Sequence, residues 1–191
     1  MTDTLTDRLN QILPRVTSEA FVHSTGLGNE IAFYIFDYPP EAELRIRDHI
    51  RFLLAHIPRI TPRVRVQHVN LLDFVLEYLR QRKLLDKAIA MQQTKGDPFV
   101  LRQLATILHP NRTAAAFAAV AQPDQHDVVL VSGVGSVYPL LRAHTLLNNL
   151  HAVMGQTPLV LFYPGRYDGQ ALRLFGTLQN DNYYRAFKLV P

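Results

Sequence analysis

The sequence predicts an α/β domain with a three-layer, Rossmann-like architecture and a mostly parallel sheet of about five strands. Two observations lead to this fold class. Short runs that are almost wholly apolar recur along the chain, as expected for strands covered on both faces. Segments with apolar residues at helical spacing separate these runs. With 191 residues, 48% of them apolar, the chain is expected to form one domain, residues 1–191, around a substantial core.

Local signals indicate the elements in the first half of the chain. Pro39-Pro40 ends the first apolar run, and Asn70 can cap the helix after the second, with Asp73 favourably placed in its first turn. The predicted elements are a helix over 3–16 within an N-terminal lead-in of 1–25, a strand over 30–38, a helix over 41–56, a strand over 63–69 and a helix that begins after Asn70.

Similar signals divide the second half. Asp97 is expected as the N-cap of a helix after Gly96, and Asn111 as the cap of an Ala-rich helix around Phe117. Pro164 and Gly165 suit the central positions of a type II turn. The predicted elements after 126 are a strand over 127–131, a helix over 139–154, a strand over 159–163, a turn over 164–169, a short helix-like stretch and a strand over 183–190.

Composition excludes several classes of site. The chain has no cysteine, which excludes disulfides, thiol chemistry and Cys-ligated zinc. Its histidines lack metal-ligand spacing and its carboxylates do not cluster, so neither a metal nor a cofactor is predicted. The N-terminus shows no signal peptide, and no apolar run is long enough to cross a membrane. A cytoplasmic protein without membrane contact is expected.

Positive charge is concentrated in one part of the chain. Residues 45–87 contain ten basic and four acidic residues, a net charge of +6 against +4 for the whole chain. The excess has two interpretations: the solvated faces of two helices, or a surface for an acidic partner or nucleic acid. In the second case the domain would be a DNA-contacting module, with weak and non-specific binding.

A glycine loop, Gly133-Val-Gly135-Ser-Val-Tyr138, follows a predicted strand and opens a helix. This is the context of a dinucleotide-binding fingerprint, so a degenerate nucleotide-binding domain is an alternative function. Tyr138 occupies the position of the third glycine, however, and the Lys and hydroxyl pair of a P-loop is missing. A tight turn that needs glycine dihedrals is the simpler interpretation.

Candidate binding residues follow from the expected sheet. Ligands of doubly wound sheets bind at the carboxyl ends of the strands. In this chain that rim would carry Asp37 and Tyr38, Asn70, Ser132 to Ser136, and residues 164–169. The shape of the turn over 164–169 needs only its proline and glycines. Arg166 and Tyr167 are therefore expected to contact a partner, with Asp168 orienting Arg166.

Further candidates share the residue types that anchor protein interfaces or form a polar stripe on a helix. They are Arg142, His144, Asn148 and Asn149 on the helix 139–154, Tyr163 at the end of a strand, and Tyr183, Tyr184 and Arg185 at the start of the last strand. None is a strong nucleophile at neutral pH. The pattern therefore indicates recognition more than catalysis.

Four segments also carry a family resemblance. They are I-F-D-Y-P-P (35–40), V-S-G-V-G-S-V-Y-P-L-L-R-A-H-T-L-L-N-N-L (131–150), F-Y-P-G-R-Y-D-G-Q-A-L-R-L-F-G (162–176) and N-Y-Y-R-A-F-K-L-V (182–190). Together they resemble the BrxB family of BREX, or bacteriophage-exclusion, systems. The resemblance spans residues 20–191 and implies a bacterial cytoplasmic protein that acts in phage resistance.

The resemblance also implies partners. These are other BREX proteins: a PglZ-type protein of the alkaline-phosphatase superfamily, a large AAA-type ATPase and an adenine methyltransferase. It implies no catalytic residue. We therefore expect an adaptor that is not an enzyme and that binds other BREX proteins, first of all the PglZ-type protein and then the ATPase.

Overall fold

The computed structural model describes residues 4–23, 32–179 and 186–191. The helices are α1 (Thr4–Val16), α2 (Glu19–Val22), α3 (Glu43–Ile60), α4 (Leu71–Gln81), α5 (Leu85–Lys95), α6 (Asp97–Ile107), α7 (Pro110–Ala121), α8 (Val134–Val137) and α9 (Ala143–Met154). The strands are β1 (Phe33–Tyr38), β2 (Val66–Asn70), β3 (Val128–Ser132), β4 (Leu159–Tyr167), β5 (Leu172–Leu174), β6 (Leu178–Gln179) and β7 (Phe187–Lys188). Within these ranges, no helix is long and apolar enough to cross a bilayer.

The sheet combines a parallel part with an antiparallel extension. Its parallel strands follow the order β2-β3-β4-β1-β7, so the connection through α3 carries the chain from β1 across two strands to the edge at β2. β1 pairs with β4 along its whole length, from Phe33 opposite Leu159 to Tyr38 opposite Pro164. β5 pairs antiparallel with the end of β4, and β6 pairs with β5. The predicted mostly parallel α/β fold is confirmed.

Two apolar layers lie on opposite faces of the sheet. One layer contains α4 to α9, with Phe117 fully buried in it. The other contains α1 to α3, with Leu53 fully buried in it. Successive strand residues enter different layers: Ile35 packs in the first and Phe36 in the second. Both faces are apolar, which explains why β1, β3 and the first part of β4 are continuous apolar runs in the sequence and do not alternate with polar residues.

The cap predicted at Asn70 is confirmed. Its side-chain oxygen accepts hydrogen bonds from the backbone N–H groups of Leu72 at 3.0 Å and Asp73 at 3.3 Å. These bonds satisfy two of the donors that the first turn of α4 leaves without an intrahelical partner. The carboxyl end of β2 is thereby joined directly to the start of α4.

Other helix boundaries differ from the predicted ones. Gly96 is the N-cap of α6, and Asp97 is its first residue. α7 begins at Pro110 after His109, so Asn111 lies inside the helix. The helix predicted over 139–154 begins at Ala143, because the residues after α8 form turns first.

The segment after Pro164 differs most from expectation. Instead of a turn and a helix-like stretch, the chain continues β4 through Tyr167 and returns antiparallel as β5, with Gly165 opposite Leu174. A Cβ at Gly165 would lie 2.1 Å from the carbonyl oxygen of Arg173. Glycine is required there because the two backbones approach more closely than a side chain allows.

The last strand is shorter than predicted within the part of the chain that the structure describes. β7 comprises Phe187–Lys188 and pairs parallel with β1, with Phe187 opposite Tyr34. The predicted start of this strand, at residues 183–185, lies outside the described residues.

Candidate functional site at the carboxyl edge of the sheet

Asp37 joins three elements at the carboxyl end of β1. Its Oδ1 accepts a hydrogen bond from Arg8 Nη2 at 2.7 Å, and Arg8 Nη1 donates to the Asp37 carbonyl oxygen at 2.9 Å. Its Oδ2 accepts from the backbone N–H of Tyr167 at 3.0 Å. The Arg8 and Asp37 side chains are 23% and 14% exposed, so their charge-assisted bonds are partly shielded from water. The carboxylate therefore ties α1 and the β4–β5 hairpin to the centre of the sheet.

A second polar chain runs along the same edge from β1 to α8. The Tyr38 hydroxyl donates to Glu43 Oε2 at 2.6 Å, and Arg47 Nε donates to Glu43 Oε1 at 3.0 Å. Arg47 Nη2 then donates to Ser136 Oγ at 3.2 Å. Burial, with the bond to Glu43 as a second cause, raises the pKa of Tyr38 above its ordinary value of 10.0. The phenol therefore stays protonated and acts as a donor.

The Gly133–Ser136 loop contains α8, which has four residues. Gly133 has a φ of 78°, and a Cβ there would lie 2.5 Å from Asn70 Oδ1. A Cβ on Gly135 would lie 3.0 Å from the Phe175 ring and 3.1 Å from Pro164. Both glycines let α8 fit between Asn70 and the hairpin. Packing thus accounts for the G-x-G spacing, which favours the tight turn over the phosphate-binding loop.

A polar cavity of about 430 Å³ lies between α3 and the carboxyl ends of β2 and β3. Its polar lining includes Arg47, Arg51, His68, Asp73 and Ser132. Within it, His68 Nε2 lies 2.8 Å from Ser132 Oγ. Burial lowers the pKa of His68 below its ordinary 6.5, which the nearby Asp73 opposes. The imidazole is therefore neutral at pH 7.

The His68–Ser132 pair admits two chemical interpretations. A neutral imidazole beside a serine hydroxyl is the arrangement of a base and its nucleophile. It is also a common way for a buried hydroxyl to satisfy its hydrogen bond, and Ser132 is 6% exposed. The two can be separated by a covalent probe for activated serines.

The structure changes the role expected for Tyr167. Arg166 is exposed, as expected, but Tyr167 is 1% exposed. The Tyr167 hydroxyl donates to the carbonyl oxygens of Ala186 at 2.7 Å and Gly169 at 3.0 Å. The expectation that Tyr167 presents its side chain to a partner is wrong, because the ring lies in the core and the hydroxyl holds the C-terminal segment in place.

Asp168 does not orient Arg166, contrary to expectation. Its Oδ1 accepts hydrogen bonds from the backbone N–H groups of Ala171 at 2.8 Å and Gln170 at 2.9 Å, and its Oδ2 lies 4.0 Å from Arg173 Nη2. The bonds from Ala171 and Gln170 hold the pKa of Asp168 below its usual 3.8. Asp168 therefore closes the turn between β4 and β5.

The remaining candidates occupy different environments. Arg142 is exposed at the N-cap of α9, and Asn148 is exposed on that helix. Asn149 is half-buried, and its Nδ2 donates to the Thr145 carbonyl at 2.8 Å. Tyr163 is 1% exposed, so the expectation that it contacts a partner is wrong for the same reason as for Tyr167. The side chain of His144, and Tyr183, Tyr184 and Arg185, lie outside what the structure describes.

The basic residues of segment 45–87 do not share one face. Half of the ten lie on α3 and α4, which pack in opposite layers of the domain. Several are in ion pairs, namely Arg47–Glu43, Arg51–Asp48, Arg65–Asp127 and Arg80–Glu77. β2 lies between α3 and α4 in the chain and at the edge of the sheet. Basic residues of this segment therefore lie on both sides of that edge.

Sequence reasoning missed two arrangements in this region. The His68–Ser132 pair had a detectable signal, because Ser132 ends β3, His68 lies two residues before the end of β2, and the two positions face the same side of neighbouring strands. The Arg8–Asp37 contact had none. It joins residues 29 positions apart and depends on how α1 docks against β1.

Comparison with known proteins identifies the family. The sequence profile described as "BREX protein BrxB" matches residues 67–189. A "BREX protein BrxB" of Bacillus cereus (strain H3081.97) is 40% identical over 188 residues, which cover 97% of each chain. The chain belongs to the BrxB family. A second BrxB protein, from Escherichia coli O9:H4 (strain HS), is 36% identical over 184 residues, 96% of this chain and 90% of the relative. No solved structure matches the chain.

BrxB membership confirms the resemblance seen in the sequence motifs and makes the protein a BREX component. The matched profile includes β3, α8 and the β4–β5 hairpin, and with them Ser132 and His68. Asp37 and the whole of α3 precede the profile but lie within the long alignments to the two BrxB relatives. The carboxyl edge described above therefore belongs to the region that this chain has in common with BrxB proteins.

Proposed function

We propose that this BrxB-family domain acts in anti-phage defence as an adaptor that is not an enzyme and that binds other BREX proteins, first of all a PglZ-type protein. The observation that supports the proposal is that carboxylates at the carboxyl edge are bonded to other groups of the same chain. Enzymes of this architecture place their reacting groups at that edge. In this domain Asp37, Glu43 and Asp168 are each held by intramolecular bonds that join structural elements.

These bonds leave Asp37, Glu43 and Asp168 little capacity for acid–base chemistry. A general base must keep a lone pair directed at a substrate proton. Asp37 instead directs one oxygen to Arg8 and the other to the Tyr167 N–H, and the Glu43 oxygens are directed to Tyr38 and Arg47. No group of three or more His, Asp or Glu in the described ranges could hold a metal ion. These observations favour a scaffold over a catalyst.

The exposed candidates define the contact surface to test first. Arg166 is exposed on the β4–β5 hairpin. Arg142 lies immediately before α9, and Asn148 lies on that helix. Arginine side chains are frequent anchors at the centre of protein interfaces, and truncating such an anchor often weakens binding by more than about 2 kcal/mol. Their exposure means that they can be replaced at little cost to folding.

The test is affinity capture from cells that carry the complete defence locus. Tagged protein should capture other BREX proteins, with the PglZ-type protein most abundant among them. Arg166→Ala combined with Arg142→Ala should reduce that capture, whereas Arg102→Ala, an exposed arginine on α6, should not. Capture of no BREX protein by the unmodified chain would overturn the proposal. Undiminished capture by the double variant would move the contact away from these two residues.

A further inference from the structure

Strand β2 has an open side. Among the described strands it pairs only with β3, at one end of the parallel order. An edge strand presents unpaired N–H and C=O groups, which proteins usually cover or protect because another strand can pair with them. Peptide-binding domains use the same property to add a partner segment as an extra strand.

The direction of the backbone groups of β2 can be read from Arg65, just before the strand. The Arg65 N–H donates to Asp127 Oδ2 at 2.7 Å, and its carbonyl accepts from the N–H groups of Asp127 at 2.8 Å and Val128 at 3.3 Å. Both groups of Arg65 thus point towards β3. In a parallel ladder the backbone groups of successive residues point to alternate sides. Those of Val66 and His68 therefore point to the open side.

A cavity lies on each side of this edge strand. The polar cavity beside α3 is one, and a groove of about 380 Å³ between α4 and α7 is the other. Both are lined by His68, Asn70 and Asp73, which places β2 between them. Side chains of a strand point alternately to its two faces. A segment paired with β2 would therefore direct successive side chains into the two cavities in turn.

The groove between α4 and α7 suits apolar side chains. Phe74, Tyr78, Ala116 and Val120 line it, and Val120 is 45% exposed. Tyr78 is 6% exposed, and its hydroxyl has no hydrogen-bond partner among the described residues. A buried hydroxyl without a hydrogen-bond partner destabilises the protein. The groove thus combines apolar walls with a donor that is still unpaired.

The cavity beside α3 suits acidic side chains. Arg47 and Arg51 line it, and their side chains are 45% and 76% exposed. Arg47 pairs with Glu43 and Arg51 with Asp48, but Arg51 bonds to Asp48 through Nη1 alone, and the rest of its guanidinium group faces the cavity side of α3. Asp73 and Glu77 contribute negative charge on the α4 side, and Glu77 is already paired with Arg80. Segment 45–87 as a whole carries ten basic and four acidic residues. A second copy of this chain that paired through β2 would bring its own Arg47 and Arg51 to the edge, and like charges would oppose that pairing.

We infer that β2 is the docking edge for an extended acidic segment of a partner protein, which adds to the sheet as an extra strand. Its apolar side chains enter the groove between α4 and α7, and its Asp or Glu side chains, at alternate positions, face Arg47 and Arg51 beside α3. The inference rests on the proposed adaptor function and specifies which surface and which partner chemistry carry it.

The experiment uses an array of overlapping synthetic peptides that cover the other BREX proteins encoded by the same locus. The full-length tagged protein is applied to the array, and bound peptides are resynthesised with a fluorescent label for affinity measurement. Bound peptides should show alternating apolar and acidic residues and should lose affinity as salt rises. In the complex, the amides of Val66 and His68 should exchange hydrogen at least tenfold more slowly.

Three variants test the edge, the groove and the charge separately. Val66→Pro removes an outward N–H from β2, Ala116→Phe fills the groove, and Arg51→Glu reverses a charge beside α3. Each should weaken peptide binding at least tenfold. Two matched controls should change it less than twofold: Ala115→Phe, at an exposed position of α7 that does not line the groove, and Arg59→Glu, at an exposed position of α3 that does not line the cavity. Ala116→Phe and Arg51→Glu lie on helix surfaces, so they remain informative if Val66→Pro does not fold.

The outcomes distinguish this inference from the proposed function. If intact BREX proteins are captured but none of the three variants weakens capture or peptide binding, the edge is not the docking site and the adaptor function stands. If no BREX protein is captured at all, both fail. A dimer in sedimentation that Val66→Pro abolishes would show that a second copy occupies the edge. A single-stranded oligonucleotide that displaces the peptides and binds more tightly than they do would show a nucleic-acid partner instead.

Discussion

The Asp37 carboxylate accepts a 3.0 Å hydrogen bond from the backbone N–H of Tyr167, a residue 130 positions later in the chain. Through its other oxygen Asp37 accepts a hydrogen bond from Arg8, so one side chain joins the helix α1, the interior strand β1 and the β4–β5 hairpin. Three elements distant in sequence therefore share one acceptor. The arrangement of the carboxyl edge depends on it.

Asp37→Asn should destabilise the domain measurably. The substitution replaces one acceptor oxygen with an NH₂ group, which then faces either the Arg8 guanidinium or the Tyr167 N–H. An unsatisfied, partly buried donor costs about 1–3 kcal/mol. Urea unfolding measures the free energy of unfolding, and Asp124→Asn, at an exposed position, serves as the control. Equal stability of the two variants would contradict the role assigned to Asp37.

Substitutions at the hairpin residues Arg166 and Tyr167 should differ strongly in their effect on stability. Arg166→Ala removes an exposed side chain and should change stability by no more than about 0.5 kcal/mol. Tyr167→Phe removes the hydroxyl that donates to the Ala186 and Gly169 carbonyls, and should cost about 1–3 kcal/mol. Tyr167→Ala also creates a cavity and should cost about 3–5 kcal/mol. Thermal unfolding of the three variants checks this order.

Gly165→Ala should be far more damaging than glycine substitution elsewhere. A Cβ at Gly165 would lie 2.1 Å from the Arg173 carbonyl, so β4 and β5 would have to separate. Gly155 is a suitable control, because it also has a positive φ, 57°, but no atom lies within 4 Å of its Cβ position. Gly155→Ala should cost less, because its only penalty is a backbone conformation that favours glycine, with a φ of 57° and a ψ of −128°. Circular dichroism melts would refute the hairpin packing if the two variants lost stability equally.

Stability should fall as pH drops below 6.5, in part because of His68. Burial holds the pKa of folded His68 below 6.5, so the unfolded chain takes up a proton first as pH decreases. Stability is therefore lost from 6.5 downward until the folded pKa is reached. His49 and His151 also have lowered pKa values, so they contribute to the loss of stability in the same direction. The melting temperature of His68→Gln should decrease less between pH 7 and pH 5 than that of the unmodified protein, and parallel curves would exclude the contribution from His68.

The isolated protein should be inactive in two assays of hydrolysis. ATP turnover with magnesium is not expected, because the glycine loop lacks the Lys and hydroxyl pair of a P-loop. A fluorophosphonate should not label Ser132, because the residue is only 6% exposed and the reagent cannot reach its hydroxyl. Intact-mass spectrometry detects the adduct, and a chemically activated serine hydrolase confirms that the reagent is competent. Labelling that disappears in both Ser132→Ala and His68→Gln would identify a catalytic pair and contradict the adaptor proposal.

Several features of this protein could be predicted because their signals are local. The apolar run Phe33–Tyr38 indicates a strand covered on both faces, and the side chain of Asn70 determines where α4 begins, whatever surrounds it. The motifs around Gly133 and Pro164 indicated the family together with the segments 35–40 and 182–190. Placing these motifs at one rim required only the rule that parallel strands end at the same edge of a sheet.

Only the tertiary structure decided which side chains are exposed to water and which strand lies at the edge of the sheet. Tyr167 lies in a turn-like motif, Pro164 to Gly169, yet its ring is buried because β5 returns over β4 and the C-terminal segment accepts its hydrogen bond. The position of β2 at the sheet edge follows from the order of strands, which the chain does not state locally. The physical reason is common to both cases. Short-range sequence determines backbone conformation and amphipathic faces, whereas exposure depends on contacts between segments far apart in the chain, and these exist only once the sheet has formed.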